Sequence, residues 1–310
     1  MNMTPDKQLR ATYVNPNYEG TVYCLGTKKD CWAQANKGAK VLAFGKAFTE
    51  DSPISVIMKP DMKKVQRCKS LDFLPAHIHY LKIPLPLVKF LTDEERNHRL
   101  FTLNIENKEQ YMDEGLLSHD VDSISDLSFP HLKALLFTGN SELASVFWSN
   151  LPFSSEQFPQ LVYIDTMLEG DDSTTILEKI HTFPHLEYIS LNGIKNAPVL
   201  SHLRQDQTKS LFLGETKAAF DFQQLKDFPK LELLSIRESK AIFDCAYISE
   251  LPALTELLLI GVKKVLNVEQ LLEMKSLKYL TIMDSGGPIK KKMKPLFLEY
   301  GFEELDIEFA

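Results

Sequence analysis

Apolar residues recur along this chain as Leu-x-x-Ile-x-Leu, usually with a Phe-Pro or Leu-Pro pair just ahead. The fullest copy is Phe183-Pro184-His185-Leu186-Glu187-Tyr188-Ile189-Ser190-Leu191-Asn192. The skeleton returns at Leu161-x-x-Ile164, Leu231-x-x-Leu234-x-Ile236, Leu254-x-x-Leu257-x-Leu259, Leu277-x-x-Leu280-x-Ile282 and Phe302-x-x-Leu305-x-Ile307, with a degenerate copy at Thr208-x-x-Leu211-x-Leu213. The leading positions 161, 186, 208, 231, 254, 277 and 302 are separated by 25, 22, 23, 23, 23 and 25 residues. A fixed period in the twenties predicts stacked repeats, none of which can bury its apolar face alone, and hence a solenoid. The alternation within each copy predicts a short strand with its Leu, Ile and Leu pointing inward.

Between strands the apolar spacing changes. Leu177, Ile180 and Phe183 precede Leu186 by nine, six and three residues, and the same offsets give Phe222, Leu225 and Phe228, then Cys245, Ile248 and Leu251, then Val268, Leu271 and Met274. These triplets predict short helical returns with one apolar face on the strand interior. Proline stands two residues before the leading leucine at 130, 159, 184, 229 and 252. There it ends the return and donates no backbone hydrogen.

The pattern is regular over 161–310 and irregular over 71–160. Ile78-x-x-Leu81-x-Ile83 competes with Cys68-x-x-Leu71-x-Phe73 for one strand, followed by Leu100-x-x-Leu103-x-Ile105 and Leu132-x-x-Leu135-x-Phe137. Extra length falls in an acidic insertion within 106–128, containing Asp113, Glu114, Asp120, Asp122 and Asp126. Residues 1–70 lack the repeat. Thr21 to Leu25, Lys40 to Phe44 and Ser55 to Met58 read as strands and Pro60 to Lys69 as a helical turn. A capping segment or small domain is expected there, since the first repeat cannot leave its apolar end in water. At the other end Glu303, Glu304, Asp306 and Glu308 suit an edge strand that must not recruit another chain.

These registers resemble the leucine-rich repeat family, in an irregular, bacterial-looking form, over about residues 74–310. The resemblance implies an α/β solenoid, with a curved parallel sheet on the concave side and short helices on the convex side. The asparagine that usually follows the last strand leucine is largely missing, so no asparagine ladder is expected. In family terms the residues between the inward ones line the concave face. Tyr80, Tyr163, Tyr188, Leu233 and Tyr279 fall in one row, Asp165, Phe212 and Leu258 in the next, and Met167 and Arg237 in a third. Equivalent side chains on neighbouring strands stack about 4.8 Å apart. Aromatic, Met and Arg side chains in such rows have the composition of a protein interface, and these ten residues are the candidate partner-binding set.

Composition narrows the function classes. Of the 310 residues, 44% are hydrophobic and 25% charged, as in ordinary globular proteins. A net charge of −7 argues against nucleic acid and anionic membranes and favours a basic protein partner. No secretory h-region or long apolar span is present. Four scattered cysteines (Cys24, Cys31, Cys68, Cys245) suggest no disulfide framework. The expectation is therefore a monomeric cytoplasmic protein. Cys24 and Cys31 with Cys68, His77 and His79 could in principle bind zinc, but their spacing fits no zinc knuckle. Structural cysteines are the simpler reading. No phosphate loop, nucleophile elbow or metalloprotease motif appears, so neither a catalytic residue nor a cofactor is expected. The leading reading is a non-enzymatic protein- or peptide-binding module using its concave sheet, such as an immunity or antitoxin protein or an adaptor. The alternatives are a translocated effector, an enzyme whose activity lies in residues 1–70 or in the insertion while the repeats select substrate, and a self-associating scaffold.

Overall fold

Each Leu-x-x-Ile-x-Leu copy forms a parallel strand because its inward side chains find equivalents one repeat away. The computed structural model describes residues 3–14, 22–29, 31, 39–46, 55–107, 126–139, 154–168, 173–194, 197–286, 289 and 291–308. The acidic stretch 108–125 lies outside the described residues. The helices are α1 (Pro5–Leu9), α2 (Met62–Arg67), α3 (Glu94–Arg99), α4 (Ser173–His181) and α5 (Lys294–Tyr300), with a π-helical turn at Arg10–Val14 directly after α1. The chain divides into two units, one of residues 10–165 with 182–185, the other of residues 1–9, 166–181 and 186–310.

In the first unit the strands are β1 (Val22–Leu25), β2 (Lys40–Leu42), β3 (Ser55–Met58), β4 (Tyr80–Pro84), β5 (Thr102–Asn107), β6 (Ala134–Gly139) and the first three residues of β7 (Tyr163–Met167). Their order is β2-β1-β3-β4-β5-β6-β7 and every pairing is parallel. Val56, Leu81, Leu103, Leu135 and Ile164 are in register across five strands, all fully buried. The competing registers before residue 130 are thereby resolved: Ile78, Leu81 and Ile83 carry the strand. The three short strands and the helical turn expected in residues 1–70 are present. They extend the same parallel ladder, with β3 in register with β4.

Cys24, on β1, forms a disulfide with Cys31, and both are fully buried. This corrects the expectation of unpaired structural cysteines and takes both sulfurs out of any zinc set. Cys68 and Cys245 are free. Closing a loop of seven residues should stabilise the fold by about 2 kcal/mol through the unfolded chain. Thiol titration in non-reducing denaturant should count two thiols of the four cysteines, and Cys31→Ser should lower the unfolding midpoint. A count of four would contradict the pairing.

In the second unit the strands are β8 (Tyr188–Asn192), β9 (Ser210–Gly214), β10 (Leu233–Arg237), β11 (Ile242–Asp244), β12 (Glu256–Ile260), β13 (Lys264–Leu266), β14 (Tyr279–Met283) and β15 (Glu304–Ile307). β8, β9, β10, β12, β14 and β15 pair in that order, all parallel. Ile189, Leu211, Leu234, Leu257, Leu280 and Leu305 form the inward column. The short strands β11 and β13 make a separate parallel ladder, which the sequence pattern did not signal.

The returns are helical but mostly 3₁₀, at Phe222–Asp227, Cys245–Tyr247 and Val268–Glu273. The spacing favours this form, because apolar residues every three positions match 3.0 residues per turn. The nine-residue α4, with Ile176, Leu177 and Ile180 buried, has the i, i+3, i+4 contacts that favour a true α-helix. All twelve residues of the four triplets are buried. Asp221 and Asp244, one repeat apart, accept the Gln223 and Ala246 N–H groups at 2.9 Å each, and so cap the 3₁₀ turns that follow them.

In place of an asparagine ladder the turns after the strands use hydroxyls. Thr216 and Ser239, one repeat apart, hydrogen-bond to each other while buried, and the Ser285 hydroxyl accepts the Val262 N–H at 3.1 Å. The residue before each of these hydroxyls is left-handed, Glu215 at φ 56°, Glu238 at 51° and Asp284 at 50°, as is Gly261 at 67° before Val262, the equivalent position in the remaining repeat. This turn bends the chain from strand to return. It also sets the Glu215, Glu238 and Asp284 side chains at equivalent positions of successive repeats, all exposed.

Candidate binding face

The sheet face opposite the leucine column consists of the residues between the inward ones, and the registers assign them to rows. In the second unit the first row is Tyr188, Ser210, Leu233, Glu256, Tyr279 and Glu304; the next is Ser190, Phe212, Ser235, Leu258, Thr281 and Asp306. In the first unit Ser55, Tyr80, Thr102, Ala134 and Tyr163 form one row, with Lys82, Asn104, Leu136 and Asp165 beside it.

The structure therefore groups the candidate residues as their spacing required, but their exposure differs from expectation. Tyr80, Tyr163, Phe212, Leu233 and Leu258 are buried, while Asp165, Met167, Tyr188, Arg237 and Tyr279 are partly exposed. The apolar members of the set, Phe212, Leu233 and Leu258, are all among the buried ones.

The chain's own N-terminal segment contacts this face within each unit. Within the second unit Thr4 starts α1. Its hydroxyl accepts the Lys7 N–H at 3.4 Å and its carbonyl the Gln8 N–H at 2.9 Å, and Pro5 stands at the first helical position, where its missing N–H costs nothing. The Asp6 N–H donates to Glu256 Oε2 at 2.7 Å, and Lys7 Nζ pairs with Glu304 at 2.9 Å. Thr4, Asp6, Leu9 and Glu256 are buried. Within the first unit Tyr13 stacks on both Phe101 and Tyr163, centroids 5.8 Å apart in each case, and its carbonyl accepts the Thr102 hydroxyl at 3.2 Å. Ala134 lies between Thr102 and Tyr163 in the row.

Polar groups on this face are also tied together. In the first unit Asn104 donates to the Tyr80 hydroxyl at 3.2 Å and accepts from Thr138 at 2.9 Å, and Lys82 pairs with Glu106 at 3.1 Å. In the second, the Tyr279 hydroxyl donates to Glu303 at 2.7 Å and Arg237 Nε to the Ser235 hydroxyl at 3.2 Å. Sequence reasoning missed Glu256, Thr4, Asp6 and Tyr13. The signal was present in Thr4-Pro5-Asp6, a helix start with cap, first-position proline and first-turn acid.

Burial pushes the Glu256 carboxyl above its usual range; the Asp6 and Glu304 carboxylates act in the same direction, and the hydrogen bonds from Asp6 and Thr4 oppose them. A raised folded-state value means that the folded chain holds this proton more tightly than the unfolded chain. Glu256's contribution to stability is then full below the ordinary value of 4.5 and is lost as pH rises through the raised value. Glu256→Gln keeps an acceptor and removes the charge. Urea midpoints should shift in favour of the variant between pH 4.5 and 7.5, the starting pH being the ordinary value. A difference that does not change with pH would contradict the burial of this carboxylate.

Among the described residues no group of three or more His, Cys, Asp and Glu could hold a metal ion, and no helix is long and apolar enough to cross a membrane. His77 Nδ1 accepts from Arg99 at 3.3 Å. A groove on the helix side of the second unit, of about 470 Å³, is lined by Gln223, Lys226, Tyr247 and Glu250 among others.

No protein-family model and no curated protein matches the sequence. Among the solved structures that match is an internalin (InlF) from Listeria monocytogenes strain 4b F2365, 13% identical, with a TM-score of 0.42 over 76% of this chain. The match spans 62% of that protein's length, less than two thirds. The chain's own features decide the architecture: a repeat step of 22–25 residues over 161–302, leucine columns in parallel register, and short returns with buried triplets. By these features the chain has the α/β fold of a leucine-rich-repeat solenoid.

Proposed function

We propose that this chain is a non-enzymatic protein-binding module whose sheet face, opposite the leucine column, grips a polypeptide segment of its partner. The observation that carries this reading is that in the second unit the face already holds a segment, residues 3–9, by a backbone N–H on Glu256 and an ion pair on Glu304. Within the first unit Tyr13 likewise stacks on Phe101 and Tyr163. Tyr188, Arg237, Tyr279, Asp165 and Met167 are the rim that remains accessible. The acidic positions Glu215, Glu238 and Asp284, with the net charge of −7, favour a basic partner. The buried Cys24–Cys31 disulfide suits an oxidising compartment, so that compartment replaces the reducing cytoplasm in this proposal.

Photo-crosslinking residues at Tyr188 and Tyr279, with helix-side controls at Gln223 and Glu250, test the reading in the full-length chain within its native cells. One and the same protein captured from both sheet positions and absent from both controls is the expected result. Equal capture from sheet and helix sides, or none from the sheet, would sink the proposal.

A further inference from the structure

The contacts of α1 carry more than a local packing role, and the inference drawn from them rests on the binding-face reading above. We propose that residues 3–9 are a displaceable stand-in for the partner. The partner itself then presents a helix-starting segment whose first-turn N–H groups meet Glu256 and whose basic side chain, one residue further on, meets Glu304.

Three features of the docked segment point this way. Glu256 sits on β12 in the middle of the row and is only 4% exposed. Its carboxylate there accepts from a backbone N–H and lies among other carboxylates, Asp6 and Glu304. Such a group favours an incoming helix start or a cation over any acidic or apolar ligand. Secondly, the Lys7–Glu304 pair is open to water, its side chains 56% and 51% exposed. Solvent and salt screen a pair of this kind, which selects for charge more than it holds. Thirdly, α1 has five residues, too few to persist as a helix when undocked. Taken together, these features describe a specific recognition pattern with a weak grip, one that a segment of the same chemistry can replace. Tyr279, one strand from each glutamate and partly exposed, is the neighbouring side chain that a longer ligand would cover.

The test uses a fluorescent synthetic peptide of residues 1–14 and the full-length chain, read by polarisation. In Asp6→Pro the donor to Glu256 is gone and φ stays helical. Asp6→Asn is the control for loss of the carboxylate alone. Hydrogen exchange reports whether residues 4–9 have been released. The Asp6→Pro chain should release the segment and bind the peptide at least tenfold more tightly than the wild-type chain does. Adding Glu304→Lys to that chain should weaken binding about three- to fivefold, and a peptide carrying Lys7→Glu should lose about as much, the range for an exposed pair. A released segment without gain in peptide affinity, or a segment still protected in Asp6→Pro, would overturn the stand-in role. Persistent crosslinking from Tyr188 and Tyr279 in that event would leave the binding face standing, whereas its loss would remove both.

Discussion

Gly286→Ala will be among the most damaging single-methyl additions in this chain, lowering stability by about 2–4 kcal/mol, an overpacking cost with weakened hydrogen bonds added. A Cβ at this position would lie 2.0 Å from the Lys263 carbonyl oxygen, which is backbone and cannot swing aside. Gly286 also donates its N–H to Val262 at 2.9 Å and accepts from Val265 at 2.8 Å, so relieving the clash loosens both bonds between successive repeats. Gly301 is the informative contrast. It ends α5 in a left-handed conformation, φ 86°, with nothing within 4 Å of a built Cβ, so alanine there should cost about 1 kcal/mol from conformation alone. Urea denaturation of the two variants should separate them clearly. Equal midpoints would mean that the turns at 263 and 286 do not approach as described.

Phe228→Ala should cost about 3–5 kcal/mol, the range for emptying a buried aromatic position. Phe228 is fully buried and ends the 3₁₀ return at Phe222–Asp227. Its N–H donates to Leu225 and its carbonyl accepts from Leu231, both at 3.1 Å. It thus joins the return to the next strand. The exposed neighbour Asp227 should tolerate alanine within about 0.5 kcal/mol. Because each repeat contacts mainly its neighbours, the loss should appear first as local opening around β9 and β10 before the whole array melts. Amide exchange on 222–236 should accelerate in Phe228→Ala, while strands β3 to β5 stay protected. Uniform acceleration along the chain would show a single cooperative block instead.

What could be read from the sequence followed from how many repeats repeated it. The inward leucines and the strand rows recur six or seven times and the buried triplets four times, so chance patterns at one copy could not mislead. The register before residue 130 is less periodic, and there Ile78 and Cys68 competed until the pairing of β4 with β5 decided it. The 3₁₀ form of the returns was implicit in the spacing of exactly three residues but was read more generally as helical. Thr216, Ser239 and Ser285 stand at multiples of 23 residues, yet hydroxyls are common in turns and their ladder did not stand out. Single events were the least legible. The Cys24–Cys31 bond occurs once, and no period marks it.

The same reasoning explains the partial picture of the binding face. Alternation correctly assigned Tyr163, Phe212, Leu233 and Leu258 to the side opposite the core, but it cannot report what lies over them. For Tyr163 the stacking partner is Tyr13, 150 positions away in the chain, and the contacts Tyr13–Thr102 and Lys7–Glu304 span comparable distances. Long-range pairing of a short segment leaves no periodic trace, and only the Thr4-Pro5-Asp6 start hinted that the segment was ordered.

The central claim is that residues 4–9 are docked on the sheet face through Glu256. Hydrogen–deuterium exchange of the full-length wild-type protein beside Glu256→Ala measures this most directly. Slow exchange of the Asp6 and Gln8 amides is the expected result in the wild type. In the variant their protection should be lost, while the strand amides of β10, β12 and β14 are unchanged. Wild-type residues 4–9 exchanging at the rate of an unstructured peptide would contradict it.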